Sequence, residues 1–266
     1  MTLLPLYLMA IGAYLIASLL IIWPLLGRAI SFPRLTTGIA WIAVLLHGSL
    51  LFNRLFSNTG VDLHFFFSLS LVSFCVAAIC MLVNIFRPVM ALGMIVFPLA
   101  ALLLGGILFV PPPIPTSIDW QIKLHAIIAI VGYSLLSLAA LLALTLTLQE
   151  RALRRHQLMR LLPLLPPLIL TETLMFQLIK AGFVLLTLTL LTGALFIENL
   201  FTQHLAHKTV LSILAWIIFG GLLWGRWHYG WRGRRATHWI STGVFLLLLA
   251  FFGSKFVLEL ILHKIP

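Results

Sequence analysis

Acidic side chains are almost missing from this 266-residue sequence: six Asp and Glu stand against 17 Lys and Arg, and charged residues of both signs make up only 9%. A water-exposed globule of this size carries roughly 25% charged residues, so a soluble enzyme is excluded. Cysteine is scarce as well. Cys75 and Cys80 lie five apart in one apolar run, on different sides of a helix, and so read as neither a disulfide nor a metal pair. No HExxH, HxxxH or CxxC spacing offers a zinc site, and His204 and His207 in TQHLAHK form only an i,i+3 pair without carboxylate support. There is no GxSxG elbow and no Gly-rich phosphate loop, and Glu172, Glu198 and Glu259 are scattered over separate segments.

What the chain has is apolar length. Hydrophobic residues reach 62% and mean hydropathy is +1.15, in runs of about 20 residues that suit a hydrocarbon core of ~30 Å. Eight spans are expected, at 5 to 26, 37 to 53, 62 to 83, 89 to 109, 123 to 148, 175 to 197, 209 to 225 and 238 to 261. Spans this long without strict alternation are helices and not barrel strands, so the fold class is an all-α polytopic membrane protein. The whole chain forms one membrane domain, with four helices in residues 1 to 122 and four in 123 to 266. The first charge, Arg28, follows the first apolar stretch, which reads as a retained span and not a cleaved signal peptide.

The net charge of +11 reports orientation. Arg28 and Arg34, Arg87, the group Arg151, Arg154, Arg155 and Arg160, and the group Arg226, Arg232, Arg234 and Arg235 all fall in alternate loops, which the positive-inside rule makes cytoplasmic. Both termini are then periplasmic. No aromatic and basic platform stands outside a span, so the partner is the lipid bilayer and not nucleic acid. The prolines of VPPPIPTSIDW (110 to 120) forbid helix and favour a stiff outer turn. Gln149 to Thr173 is arginine-rich and then broken by Pro163, Pro166 and Pro167, as expected of a segment lying at the inner interface. GRWHYGWRGRR (225 to 235) reads as an aromatic belt with a charge anchor, or as a platform for an anionic headgroup or partner.

The nine histidines divide unevenly. His47, His64, His125, His204, His207 and His263 fall in the outer half or the outer loops, and His156, His228 and His238 among the inner arginines. An imidazole at membrane depth is costly without a partner and is a functional candidate by default. His47 in WIAVLLHGSLLF and His125 in WQIKLHAIIAIVGYSLL qualify best, and Gly132, on the same face as His125, admits a close neighbour. A satisfied interhelical hydrogen bond explains either residue equally well. Among cofactors, haem needs only one or two imidazoles between apolar walls.

From His125 onward the succession LHAIIAIVGYSLLSLAALLALTL, a basic loop, MFQLIKAGFVLLTLTLLTGALF, HKTVLSILAWIIFGGLLWGR and THWISTGVFLLLLAFFGSKFVLELIL resembles the CcsA and CcmC cytochrome c assembly family. The segments PPL, SILAW and GRWHYGWRGRR are similar to its short YpjD-like and HemX-like branch. In the larger relatives a tryptophan-rich outer loop ending in a WDPKE-like string presents haem, and flanking histidines ligate it. By that resemblance His125 corresponds to the upstream histidine, His263 to the downstream one, and Lys208 to the loop lysine. The loop itself, IENLFTQHLAHKTVLS, contains no tryptophan, and its His204 and His207 are the imidazoles that remain there.

The resemblance implies a haem-handling protein of the bacterial inner membrane, acting beside other cytochrome c assembly proteins without being an enzyme in the strict sense. His125 is then the first candidate ligand, with His47, His263 or His207 as a second. The alternative from another class is a haem-free regulatory or scaffolding protein that keeps the fold and meets partners through its basic loops. A small-molecule transporter fits less well, since no inverted repeat or paired broken span is evident.

Overall fold

Backbone groups in hydrocarbon find no water, so each span must satisfy its own N–H and C=O groups. The computed structural model describes residues 3–26, 32–56, 65–109, 119–155, 165–196 and 206–253, and among them the regular structure is entirely helical. In chain order the helices are α1 (Leu4–Ile22), α2 (Pro33–Phe56), α3 (Phe65–Phe86), α4 (Gly93–Gly106), α5 (Trp120–Arg155), α6 (Leu168–Phe196), α7 (Ala206–Tyr229) and α8 (Gly233–Leu248). Seven stretches, built on α1 to α7, are long and apolar enough to cross a bilayer. The eighth helix, α8, continues as a π turn over Leu249–Gly253, and the rest of the eighth expected span lies outside the described residues. The chain is an all-α, multi-pass membrane protein.

The helices gather into two compact units, Met1–Ile118 with Leu158–Pro166, and Asp119–Gln157 with Pro167–Pro266. In the first, α1 packs on α2 and α4, and α3 packs on α2 and α4, which closes a ring in chain order. The inner face of α1 carries Tyr7, Ala10, Tyr14, Ala17 and Ile21, recurring every three or four residues, while Leu8, Met9, Ile16 and Leu19 are exposed. Lipid tails are as apolar as leucine, so the packed face is chosen by small side chains and hydrogen bonds and not by hydrophobicity.

The second unit closes the same kind of ring, α5 on α6, α6 on α7, α7 on α8 and α8 on α5. Helices α5 and α6 run antiparallel and close. A Cβ placed on Gly132 would stand 3.2 Å from the Leu185 Cβ, and one on Gly182 would stand 2.7 Å from Leu136. Farther round the ring, Trp216 of α7 stacks on Phe183 of α6 at 5.6 Å and donates its indole N–H to Thr187 at 2.9 Å. The Tyr133 hydroxyl of α5 bonds Ser212 of α7, a polar tie across the ring.

The stretch from Gln149 to Thr173 departs from expectation. Residues 149 to 155 prolong α5, and α6 opens at Leu168, seven residues before the expected span; residues 156–164 lie outside the described residues. The cause is local. Pro166 and Pro167 precede the first turn of α6, where a missing N–H and a fixed φ cost nothing, and the carbonyl of Pro167 already accepts from Thr171 N at 3.0 Å. A helix of 36 residues rises about 54 Å at 1.5 Å per residue, so α5 outreaches the hydrocarbon and carries its arginines beyond it.

Close approach at Gly132 makes a direct prediction. Gly132→Val should push α6 away and cost about 1–3 kcal/mol through overpacking, read as a lower midpoint of thermal unfolding in detergent. Gly12→Ala, where an added Cβ meets nothing within 4 Å, should be neutral or stabilise by up to about 1 kcal/mol.

Candidate functional site

His125 occupies the second turn of α5, half-buried, facing the last turns of α6. Its Nδ1 lies 3.0 Å from Thr192 Oγ1, and the Thr189 backbone is a further hydrogen-bond partner of the ring. Gly193 makes room for it: a Cβ there would stand 3.2 Å from His125 Cε1. Trp120 and Phe196 meet at this same end, ring centroids 6.2 Å apart. The antiparallel course of α6 and α7 brings the first turn of α7, which contains His207, to this end as well; the His207 side chain lies outside the described residues, as does all of His263.

His47 belongs to the other unit and is sealed. Completely buried on α2, it places Nδ1 3.2 Å from the Tyr14 hydroxyl and Nε2 2.9 Å from Ser70 Oγ, with Phe74 edge-on at 5.5 Å. Each ring nitrogen has one partner, which answers the cost of an imidazole at membrane depth. Among the described residues no three His, Cys, Asp or Glu side chains gather into a metal-holding group. Cys80 is buried and Cys75 half-buried.

The opposite end of the second unit holds an ionic centre that sequence reasoning dispersed. Glu172, in the first turns of α6, is buried. Arg232 grips it with two parallel bonds, Nε to Oε1 at 2.8 Å and Nη2 to Oε2 at 2.7 Å. Arg226 reaches Oε1 at 2.9 Å while lying 4.5 Å over the Phe176 ring and donating to the Trp231 carbonyl at 3.1 Å. The hydrogen bond and charge of Glu172 raise the Arg232 guanidinium above its ordinary value, so it stays charged at any physiological pH. The turn between α7 and α8 is shaped by left-handed backbone at Gly230 (φ 65°) and Gly233 (φ 55°), and Trp231 packs on Trp239 at 5.1 Å. Two of the arginines read as topology signals are thus committed to one carboxylate. The clue was a lone acid inside the apolar run LILTETLMFQ, which by depth alone calls for a named partner.

Helix rise separates the two ends by about 39 Å between His125 and Arg151. One end carries an imidazole and aromatic rings, the other arginines around a buried acid. The family model described as cytochrome C assembly protein matches residues 35–262. The chain belongs to that family. Similar full-length relatives include the inner membrane protein YpjD of Escherichia coli K12, 34% identical over 96% of this chain and 98% of that protein. A 28.8 kDa protein of Azospirillum brasilense is 36% identical over 53% of each chain. The cytochrome c biogenesis protein CcsA of a Prochlorococcus marinus strain is 32% identical over 32% of this chain and 28% of its own length. No solved structure matches.

Breaking the Glu172 centre tests its weight. Glu172→Gln should lower stability in detergent by no more than about 1 kcal/mol, because the guanidinium groups that lose their counter-charge are partly open to solvent. In a double-mutant cycle, adding Arg232→Met should cost less than the single changes summed, since the second removes a charge the first has stranded.

Proposed function

We propose that this protein handles haem during cytochrome c assembly in the bacterial inner membrane, with His125 as the axial ligand. Family membership supports the assembly role, and the anchoring of His125 at one rim of a helix ring is the observation that carries the ligand assignment. The donor set fits unequally. His47 has both nitrogens engaged and no exposure, so in this arrangement it serves the packing of its own unit. His125 is half-buried and held from the α6 side, at the end where the Trp120 and Phe196 rings meet. Haem, when bound, supplies an iron that takes one or two imidazoles, and His207 and His263 remain the candidates for the second.

The arginine-bearing end of the second unit, with Arg151, Arg226, Arg232, Arg234 and Arg235, is the cytoplasmic end by the positive-inside rule. His125 then faces the periplasm, where cytochromes c receive their haem. The work left to the protein's own residues is to hold the imidazole, fix the ring's direction and exclude competing water from the rim.

Absorption spectra of the detergent-solubilised protein, oxidised and reduced, test this reading. Wild type, as purified or after adding haem, should show a Soret band with α and β bands. His125→Ala should weaken haem binding by at least ~10-fold, in the range lost when a metal ligand or its support is removed. His47→Ala should keep the spectrum and lose about 1–3 kcal/mol of stability, as Tyr14 and Ser70 are stranded. A wild-type protein that takes up no haem would overturn the proposal in favour of the haem-free scaffold, whose partners would meet the arginine-bearing end.

A further inference from the structure

Thr192 is the residue on which the state of His125 turns. A neutral imidazole has one N–H and one lone pair, and which nitrogen carries the proton is set by what the other groups nearby can accept. The Thr192 hydroxyl has a single proton. Its oxygen lies 2.8 Å from the Leu188 carbonyl and 3.1 Å from the Thr189 carbonyl, both acceptors only, so that proton runs back along its own helix. With that proton directed to a carbonyl, the same oxygen accepts from the His125 side, which makes the Nδ1 atom 3.0 Å away the matching donor. The backbone of Thr189 is a further hydrogen-bond partner of the ring. The neighbouring Thr189 hydroxyl does not compete, because it donates to the Leu185 carbonyl at 2.8 Å. Gly193 lets the ring edge come close enough for this contact.

We infer that Thr192 is a positioning residue that holds His125 as the Nδ1–H tautomer and so leaves the Nε2 lone pair as its one ligating atom. The inference deepens the haem reading and rests on it for its purpose, though not for its chemistry. A hydrogen bond donated from the far nitrogen both orients a metal-binding imidazole and raises its basicity. The backbone proton traffic of α6 thereby decides which edge of His125 is offered to an incoming iron. His47 gives the contrast within the same chain, since its Nε2 is taken up by Ser70.

The test uses the full-length protein in detergent with 15N-labelled histidine, haem-free, above the usual histidine titration range. The His125 resonances, assigned by their loss in His125→Ala, should report a protonated Nδ1 and a bare Nε2 in wild type and in Thr192→Ser. Thr192→Val is nearly isosteric and keeps the helix, yet removes the acceptor, and should move the population toward the Nε2–H form. Haem titration should then show Thr192→Val weakened by about 10- to 100-fold, as expected for a lost outer partner, and Thr192→Ser within about threefold of wild type. A protonated Nε2 in wild type, or a Thr192→Val protein with unchanged tautomer, overturns the inference even if His125 binds haem. Wild-type protein with the expected tautomer and no haem uptake would instead uphold the Thr192 assignment and remove the haem reading.

Discussion

Everything polar in this protein that lies at membrane depth has to find its partner inside the chain, because the surrounding solvent offers none. That constraint organises the structure more than hydrophobic burial does. Thr145, Thr187, Thr189 and Thr192 each send the hydroxyl proton back to a carbonyl four residues earlier, and Ser134 does the same. The oxygen of a back-bonded hydroxyl can still accept. Where a second helix brings a donor, as Trp216 does to Thr187 or His125 to Thr192, the back-bonded hydroxyl becomes an interhelical joint of fixed polarity. The same rule explains His47, which is tolerable at full burial only because Tyr14 and Ser70 come from two other helices to meet it.

The second unit separates its two polar centres along one rigid element. Helix α5 links an imidazole end to an arginine end, and α6 returns antiparallel against it with Gly132 and Gly182 at the closest approach. Glu172 at the arginine end draws Arg226 and Arg232 together across the turn between α7 and α8. Such a pair, partly open to solvent, contributes less to stability than its geometry suggests. Its larger effect is to fix how α7 and α8 meet α6, and hence the ring that presents His125 at the other end.

Much of the architecture was legible in the chain alone. Length and spacing of apolar runs announced the helices, because only a self-satisfied backbone can cross hydrocarbon, and the arginine asymmetry announced an orientation. Pro166 and Pro167 did not announce the start of α6, since proline ends a helix in most settings but is welcome just before its first turn. The pairing of Glu172 with Arg232 was not legible, since the two stand 60 positions apart and charges in loops carry no address.

The sequence by itself determined the class of protein, its membrane residence, the membrane depth of His47 and His125, and the likeness to cytochrome c assembly proteins. Those follow from composition, period and motif, which are properties of a linear string. Only the tertiary structure decided what each imidazole meets. His47 and His125 look alike in sequence, each a lone histidine among aliphatic residues; packing closes both nitrogens of the first and sets the second against a threonine whose proton is already spent. Hydrogen-bond direction depends on which helices become neighbours and at what register, and no local pattern encodes that.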